Sequence, residues 1–137
     1  MQQKNKQTKN YFAYAIYSVI FTSLLFIMFG SNGWGPSAAN EQAIGEISRW
    51  CERVSGGFFR EPVNTLGNLG FVAAGLFMFY KITQDATNNS NPLFGSFKIA
   101  ILYASASTFL GPGSMAMHGT HTSFGAWLDN VSMISYI

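Results

Sequence analysis

A single cysteine, Cys51, excludes an intrachain disulfide framework and says nothing of redox compartment; it is expected as a packed small residue. Charge is nearly as scarce: 10% of the 137 residues are charged, and the formal balance is only +2. No run of basic residues with interleaved aromatics forms a nucleic-acid groove, so that class of partner is set aside. The chain is instead 48% apolar and 16% aromatic, with 13 phenylalanines, a balance foreign to a small water-soluble domain and natural to a membrane protein.

The apolar residues fall into runs. Residues 1–10 are polar and carry Lys4, Lys6 and Lys9; residues 11–29 then carry no charge, about the length that crosses a ~30 Å hydrocarbon core at 1.5 Å per residue. A basic start before an apolar run also describes a signal peptide, but this run exceeds the usual h-region of ~7–15 residues. Ser37-Ala38-Ala39 keeps that alternative open; an uncleaved first span is the preferred reading. Residues 31–60 read as a polar linker in which 41–53 has the composition of a short surface helix, with Trp34 and Trp50 suited to the membrane interface. Gly56-Gly57 breaks the linker, and Glu61-Pro62 has the form of a helix start.

Two further uncharged stretches, 62–80 and 99–117, complete the expected spans, separated by a turn-rich segment at 85–92. In the first, Asn64, Asn68, Gly67 and Gly70 put small and amide residues at helical spacing, which predicts an inward face and close helix approach. In the second, Gly111-Pro112-Gly113 would either break the helix beside a cavity or merely kink it. A fourth apolar run from Phe124 reaches only Ile137, so the 137 residues are expected to be the front part of a longer protein. The fold class is an all-α membrane bundle, with three complete spans and the start of a fourth. Lysines flank one side (Lys4, Lys6, Lys9, Lys81, Lys98) and arginines the other (Arg49, Arg53, Arg60). The more basic lysine side is expected in the cytoplasm, and the 31–60 loop and the His118 region on the opposite side.

The chemistry concentrates in Gly113-Ser114-Met115-Ala116-Met117-His118 and in Leu128-Asp129 beyond it. Ser114 and His118 are one helical turn apart on one face, and a reversal at 119–123 would bring Asp129 back to their depth. Ionisable groups inside a membrane bundle are costly and by default functional. Met115, Met117, His118 and His121 form a soft-ligand set for copper or haem on paper, but methionines two apart on a helix face different ways, which favours packing.

With Trp50-Cys51-Glu52 and the run Glu61-Pro62-Val63-Asn64-Thr65-Leu66-Gly67-Asn68, these residues resemble the alkaline ceramidase family of seven-helix membrane hydrolases, within a superfamily that includes the adiponectin and progestin receptors. The likeness covers about residues 50–137 and implies a seven-helix core, here with an extra N-terminal span. It implies a zinc-dependent amidase that splits ceramide or a related N-acyl lipid into a long-chain base and a fatty acid. His118 would be one of three zinc imidazoles, the other two lying beyond Ile137; Asp129 would deprotonate the attacking water and Ser114 steady the oxyanion. His121, in a turn with nothing nearby to complete a tetrahedral set, is expected as a plain surface histidine. Relatives also carry a calcium site, to which Glu52, Glu61 and the carbonyl of Trp50 correspond. Here Arg49 replaces an acid and Val54 an amide, removing two of the six to eight oxygens that calcium prefers. Gly67 stands where a serine is usual, and a receptor-like or otherwise non-catalytic zinc protein is the alternative within the same superfamily.

Overall fold

A computed structural model describes residues 2–30, 33–88 and 97–137. The chain is helical apart from one lobe: α1 is Gln2–Gly30, α2 Pro62–Gly67, α3 Leu69–Asn88, α4 Phe97–Thr120 and α5 Ser123–Tyr136. Three stretches are long and apolar enough to cross a membrane: Tyr11–Gly30, Pro62–Gln84 (α2 and α3 together) and Phe97–Thr120. The segment expected as a loop at 85–92 is helical as far as Asn88; 89–92 lie outside the described residues.

Helix α4 is the centre. It packs against α3 on one flank and α5 on another, with α2 near its C-terminal end, while α1 leans chiefly on α3. Half of α4's apolar stretch is buried within the chain, against 6% of α1's. The α1–α3–α4 seam is closed by Ala15, Phe79 and Ala104, flanked by Phe12, Leu76 and Ile101.

Close approach is made by other glycines than those expected. Gly67 and Gly70 are exposed with open space where a side chain would go. The inward stripe of this span is Thr65, Val72, Gly75 and Phe79, and a methyl on Gly75 would stand 2.6 Å from the backbone nitrogen of Thr108. The i, i+3, i+7 spacing from Val72 selects this face; Gly67 and Gly70 fall off it. Gly111-Pro112-Gly113 does not break the helix: α4 runs through Pro112. Neighbours hold it on both flanks, Val72 and Asn68 against Gly111, Leu128 and Ser132 against Gly113.

Helices α4 and α5 are joined by a two-residue connection. His121 adopts φ 53°, the left-handed conformation that ends helices, and its N–H bonds the Met117 carbonyl at 2.9 Å. Thr122 then caps α5, its hydroxyl accepting from the Gly125 N–H at 3.1 Å.

Residues 33–61 form the non-helical lobe over this end of the bundle. The short helix expected at 41–53 is absent; the segment folds back on itself, pairing Ile47 with Arg53 in an isolated antiparallel bridge. Gly45 at φ 92° and Cys51 at φ 63° make the reversals that a helix forbids. Cys51 is exposed on that turn, not packed.

Candidate functional site

The lobe delivers a carboxylate to the end of α4. Glu61, immediately before Pro62, is the N-cap residue of α2, but its own side chain does not cap. That task falls to Glu52, whose carboxylate oxygens accept the N–H groups of Val63 and Asn64, each at 2.8 Å. Glu61 is thereby free to turn inward, where it is fully buried.

Its oxygens collect donors. Oε2 lies 2.6 Å from His118 Nδ1 and 2.9 Å from Asn64 Nδ2; Oε1 lies 2.9 Å from His121 Nε2. Burial pushes the Glu61 carboxyl upward, but hydrogen bonds from Ser48, Asn64, His118 and His121 outweigh it and hold the group below its ordinary value. An ionised carboxylate only accepts, so both rings donate: His118 through Nδ1–H, His121 through Nε2–H. Trp50 stands edge-on to the His118 ring at 4.9 Å between centroids and touches the His121 side at 6.2 Å.

His121 is not a surface histidine. It is fully buried, and its Nδ1 faces Glu41 Oε2 at 3.7 Å, with neither atom hydrogen-bonded. The local sequence misled because the partners that satisfy His121 lie far upstream, Glu61 sixty residues away in sequence. Nothing near His121 signals them. Arg49 stays outside the knot, its guanidinium on the Asn40 carbonyl at 2.7 Å and on Glu41 Oε1 at 3.3 Å.

The second half of the site lies on the α4–α5 hairpin. Gly125 meets Ala116, and Gly113 meets Leu128 and Ser132, a register that sets Asp129 level with Ser114. His118 is one turn further along α4. Ser114 is buried, and its hydroxyl makes no hydrogen bond among the described residues, whereas Thr108 and Thr120 on the same helix bond back to Ala104 and Ala116. Asp129 keeps Oδ1 buried without a partner. A wide apolar groove of 560 Å³ between α1 and the hairpin is lined by Phe26, Phe29, Phe109, Pro112, Ala116 and Leu128 among others. Ala116 is two residues from both Ser114 and His118, which puts the groove on the other side of α4 from them.

The donor sets can be tested against the two metals that the family resemblance implies. For calcium they do not fit. Both Glu52 oxygens hold backbone N–H groups, the Trp50 carbonyl is 3.4 Å from Asn64 Nδ2, and both Glu61 oxygens hold N–H donors where a cation would have to lie. For zinc, His118 offers at most one ligand: Nδ1 is held 2.6 Å from the Glu61 carboxylate, and Nε2 makes no hydrogen bond among the described residues. Among the described residues no three His, Cys, Asp or Glu side chains converge on a metal position. His121 has Nε2 on Glu61 and its unpaired Nδ1 3.7 Å from Glu41 Oε2, turned toward the lobe.

Fold and site together define a helical membrane protein with a buried imidazole–carboxylate knot beside two unpartnered polar side chains. Compared with known proteins, the chain matches no family model, no curated protein and no solved structure.

Proposed function

We propose that this protein is a membrane-embedded, zinc-dependent amide hydrolase acting on ceramide or a related N-acyl lipid, releasing a long-chain base and a fatty acid. The observation that carries the reading is the pairing of an oriented imidazole with two idle polar groups. His118 has one nitrogen fixed and the other without a hydrogen bond; Ser114 is buried with a hydroxyl that bonds nothing among the described residues, and Asp129, itself half-buried, keeps Oδ1 buried and unpaired. Leaving a buried polar atom such as Asp129 Oδ1 unpaired costs about 1–3 kcal/mol, an expense with no structural return.

His118 Nε2 would hold the zinc together with imidazoles from outside the described residues. Zinc in such a site supplies Lewis acidity toward an amide carbonyl and acidifies water. Asp129 Oδ1 takes the proton of the attacking water and returns it to the leaving amine. The Ser114 hydroxyl, bonded to nothing else, donates to the oxyanion that develops on the carbonyl oxygen. Trp50 covers the His118 ring and keeps bulk water from it. By the distribution of lysine and arginine, the site opens on the non-cytoplasmic side.

The test is release of fatty acid from N-acyl sphingoid lipids by the full-length protein in lipid nanodiscs. Turnover is expected to require zinc and to vanish in His118→Ala and Asp129→Ala. Unchanged turnover in those variants overturns the reading, and bound zinc with no turnover over a range of N-acyl lipids favours the receptor-like alternative.

A further inference from the structure

The second ring nitrogen of His121 points at an acid that it does not bond. We propose that His121 carries a proton on both nitrogens and, as an imidazolium between Glu61 and Glu41, is a proton-operated clasp that fastens the near end of the 33–61 lobe to the α4–α5 connection. The clasp goes beyond the hydrolase reading and needs neither it nor any metal.

Two facing acceptors carry the argument. His121 is fully buried and the Glu41 side chain is 7% exposed, and His121 Nδ1 stands 3.7 Å from Glu41 Oε2 with neither atom hydrogen-bonded among the described residues. On the opposite edge of the ring, Nε2–H donates to the ionised Glu61 at 2.9 Å. Were Nδ1 bare, its lone pair would face a carboxylate oxygen, and two buried acceptors would go unsatisfied. A proton on Nδ1 removes both defects, giving Glu41 a donor and setting one positive charge between two negative ones. The surroundings agree in sign. Besides the two carboxylates the ring meets Trp50, 6.2 Å away between centroids; His118 bonds the other oxygen of Glu61, and Arg49 bonds the other oxygen of Glu41 at 3.3 Å with half of its side chain exposed.

The same residue holds the lobe by main chain. Ala38 N–H bonds the His121 carbonyl at 2.9 Å, and Glu41 N–H bonds the Ala38 carbonyl at 3.0 Å, so residues 38–41 form one turn seated on His121. The far end of the lobe is tied separately, by Arg60 N–H to Gly119 and Glu61 N–H to His118, each at 3.0 Å. His121 occupies a left-handed position that glycine fills most readily, so the bonds of its ring help to hold it there. Loss of the Nδ1 proton sets a lone pair against Glu41 and leaves the turn on its Ala38 bond alone. The clasp is therefore closed at low pH and opens as the pH rises and His121 loses its charge, with the far end still fastened.

Two measurements on the full-length protein in lipid nanodiscs test it. With ¹⁵N-labelled histidine, long-range ¹H–¹⁵N correlation at mildly acidic pH is expected to show both His121 nitrogens protonated; a bare Nδ1 overturns the proposal without any variant. Amide hydrogen exchange, corrected for its intrinsic pH dependence, is then expected to lose at least about tenfold of its protection at Ala38 and Glu41 as the pH rises and His121 titrates, while Arg60 and Glu61 keep theirs. Flat protection at Ala38 and Glu41 while His121 loses its charge overturns the clasp. Glu41→Gln keeps the volume and offers an amide that can donate to an uncharged ring, so the pH step is expected to vanish. A step that persists in the folded Glu41→Gln protein belongs to another group and overturns the proposal.

Discussion

At the C-terminal end of α4 a buried acid is surrounded by donors; about a turn back, a half-buried acid keeps a buried oxygen with none. Glu61 accepts from His118, His121 and Asn64, whereas Asp129 keeps Oδ1 unpaired and Ser114, level with it on α4, makes no hydrogen bond among the described residues. Both acids are carried by a chain poor in charge, so the difference cannot come from local composition. It comes from what the fold invests around each. Donors drawn from three separate segments converge on Glu61, which makes it part of the architecture. Asp129 Oδ1 and the Ser114 hydroxyl draw no such donors among the described residues, which is why the proposed reading gives them to the substrate and the attacking water.

That contrast can be broken by experiment, beginning where the effect is largest. Replacing Asp129 with Asn should lower lipid-amide hydrolysis by about 10²–10⁴-fold, the range of a lost general base, while leaving the melting temperature of the solubilised protein close to wild type. A large loss of stability with little loss of turnover would reverse the roles assigned to the two acids. Ser114→Ala should cost about 10²–10³-fold in turnover, visible as a fall in kcat with KM held, because the hydroxyl acts on charge that develops only in the transition state.

On the other side of the comparison the readout is stability. His121→Ala removes one partner of a buried, ionised carboxylate and is expected to destabilise the protein by about 3 kcal/mol in SDS-titration unfolding. A loss below about 1 kcal/mol would show that His121 is dispensable to the knot. Gly75→Ala, which drives a methyl toward Thr108, should cost about 1–3 kcal/mol in the same assay. The smallest effect belongs to Gly70→Ala: with open space at that position, replacing glycine within a helix should be neutral or stabilising by up to about 1 kcal/mol.

The split between the two groups tracks how far each was legible in the sequence. Spans follow from uncharged length, so the runs at 11–29, 62–80 and 99–117 locate the helices to within a few residues. Ser114, His118 and Asp129 were visible because helical spacing and a single tight reversal suffice to relate them. The knot was not. Glu61 and His121 are brought together only when the 33–61 lobe folds across the end of α4, and that lobe is built from left-handed turns at Gly45 and Cys51 that no hydrophobic period announces. For the same reason the helix-forming composition of 41–53 misled: tertiary hydrogen bonding, including Ser48 N–H to the Glu52 carbonyl at 2.7 Å, overrode intrinsic preference. Glycine spacing in 64–70 misled differently, since small residues permit close approach without dictating which neighbour makes it.

The lobe also settles an account that every helix carries at its tail. Carbonyls in the final turn of a helix have no partner further along it and ordinarily look to solvent or headgroups. At this tail the lobe supplies them: Glu61 N–H bonds the His118 carbonyl at 3.0 Å, Arg60 N–H that of Gly119 at 3.0 Å, and Ala38 N–H that of His121 at 2.9 Å. A tail sealed in this way has no thirst for water, so its depth in a bilayer is set by the side chains it bears and not by the polarity of its exposed peptide groups.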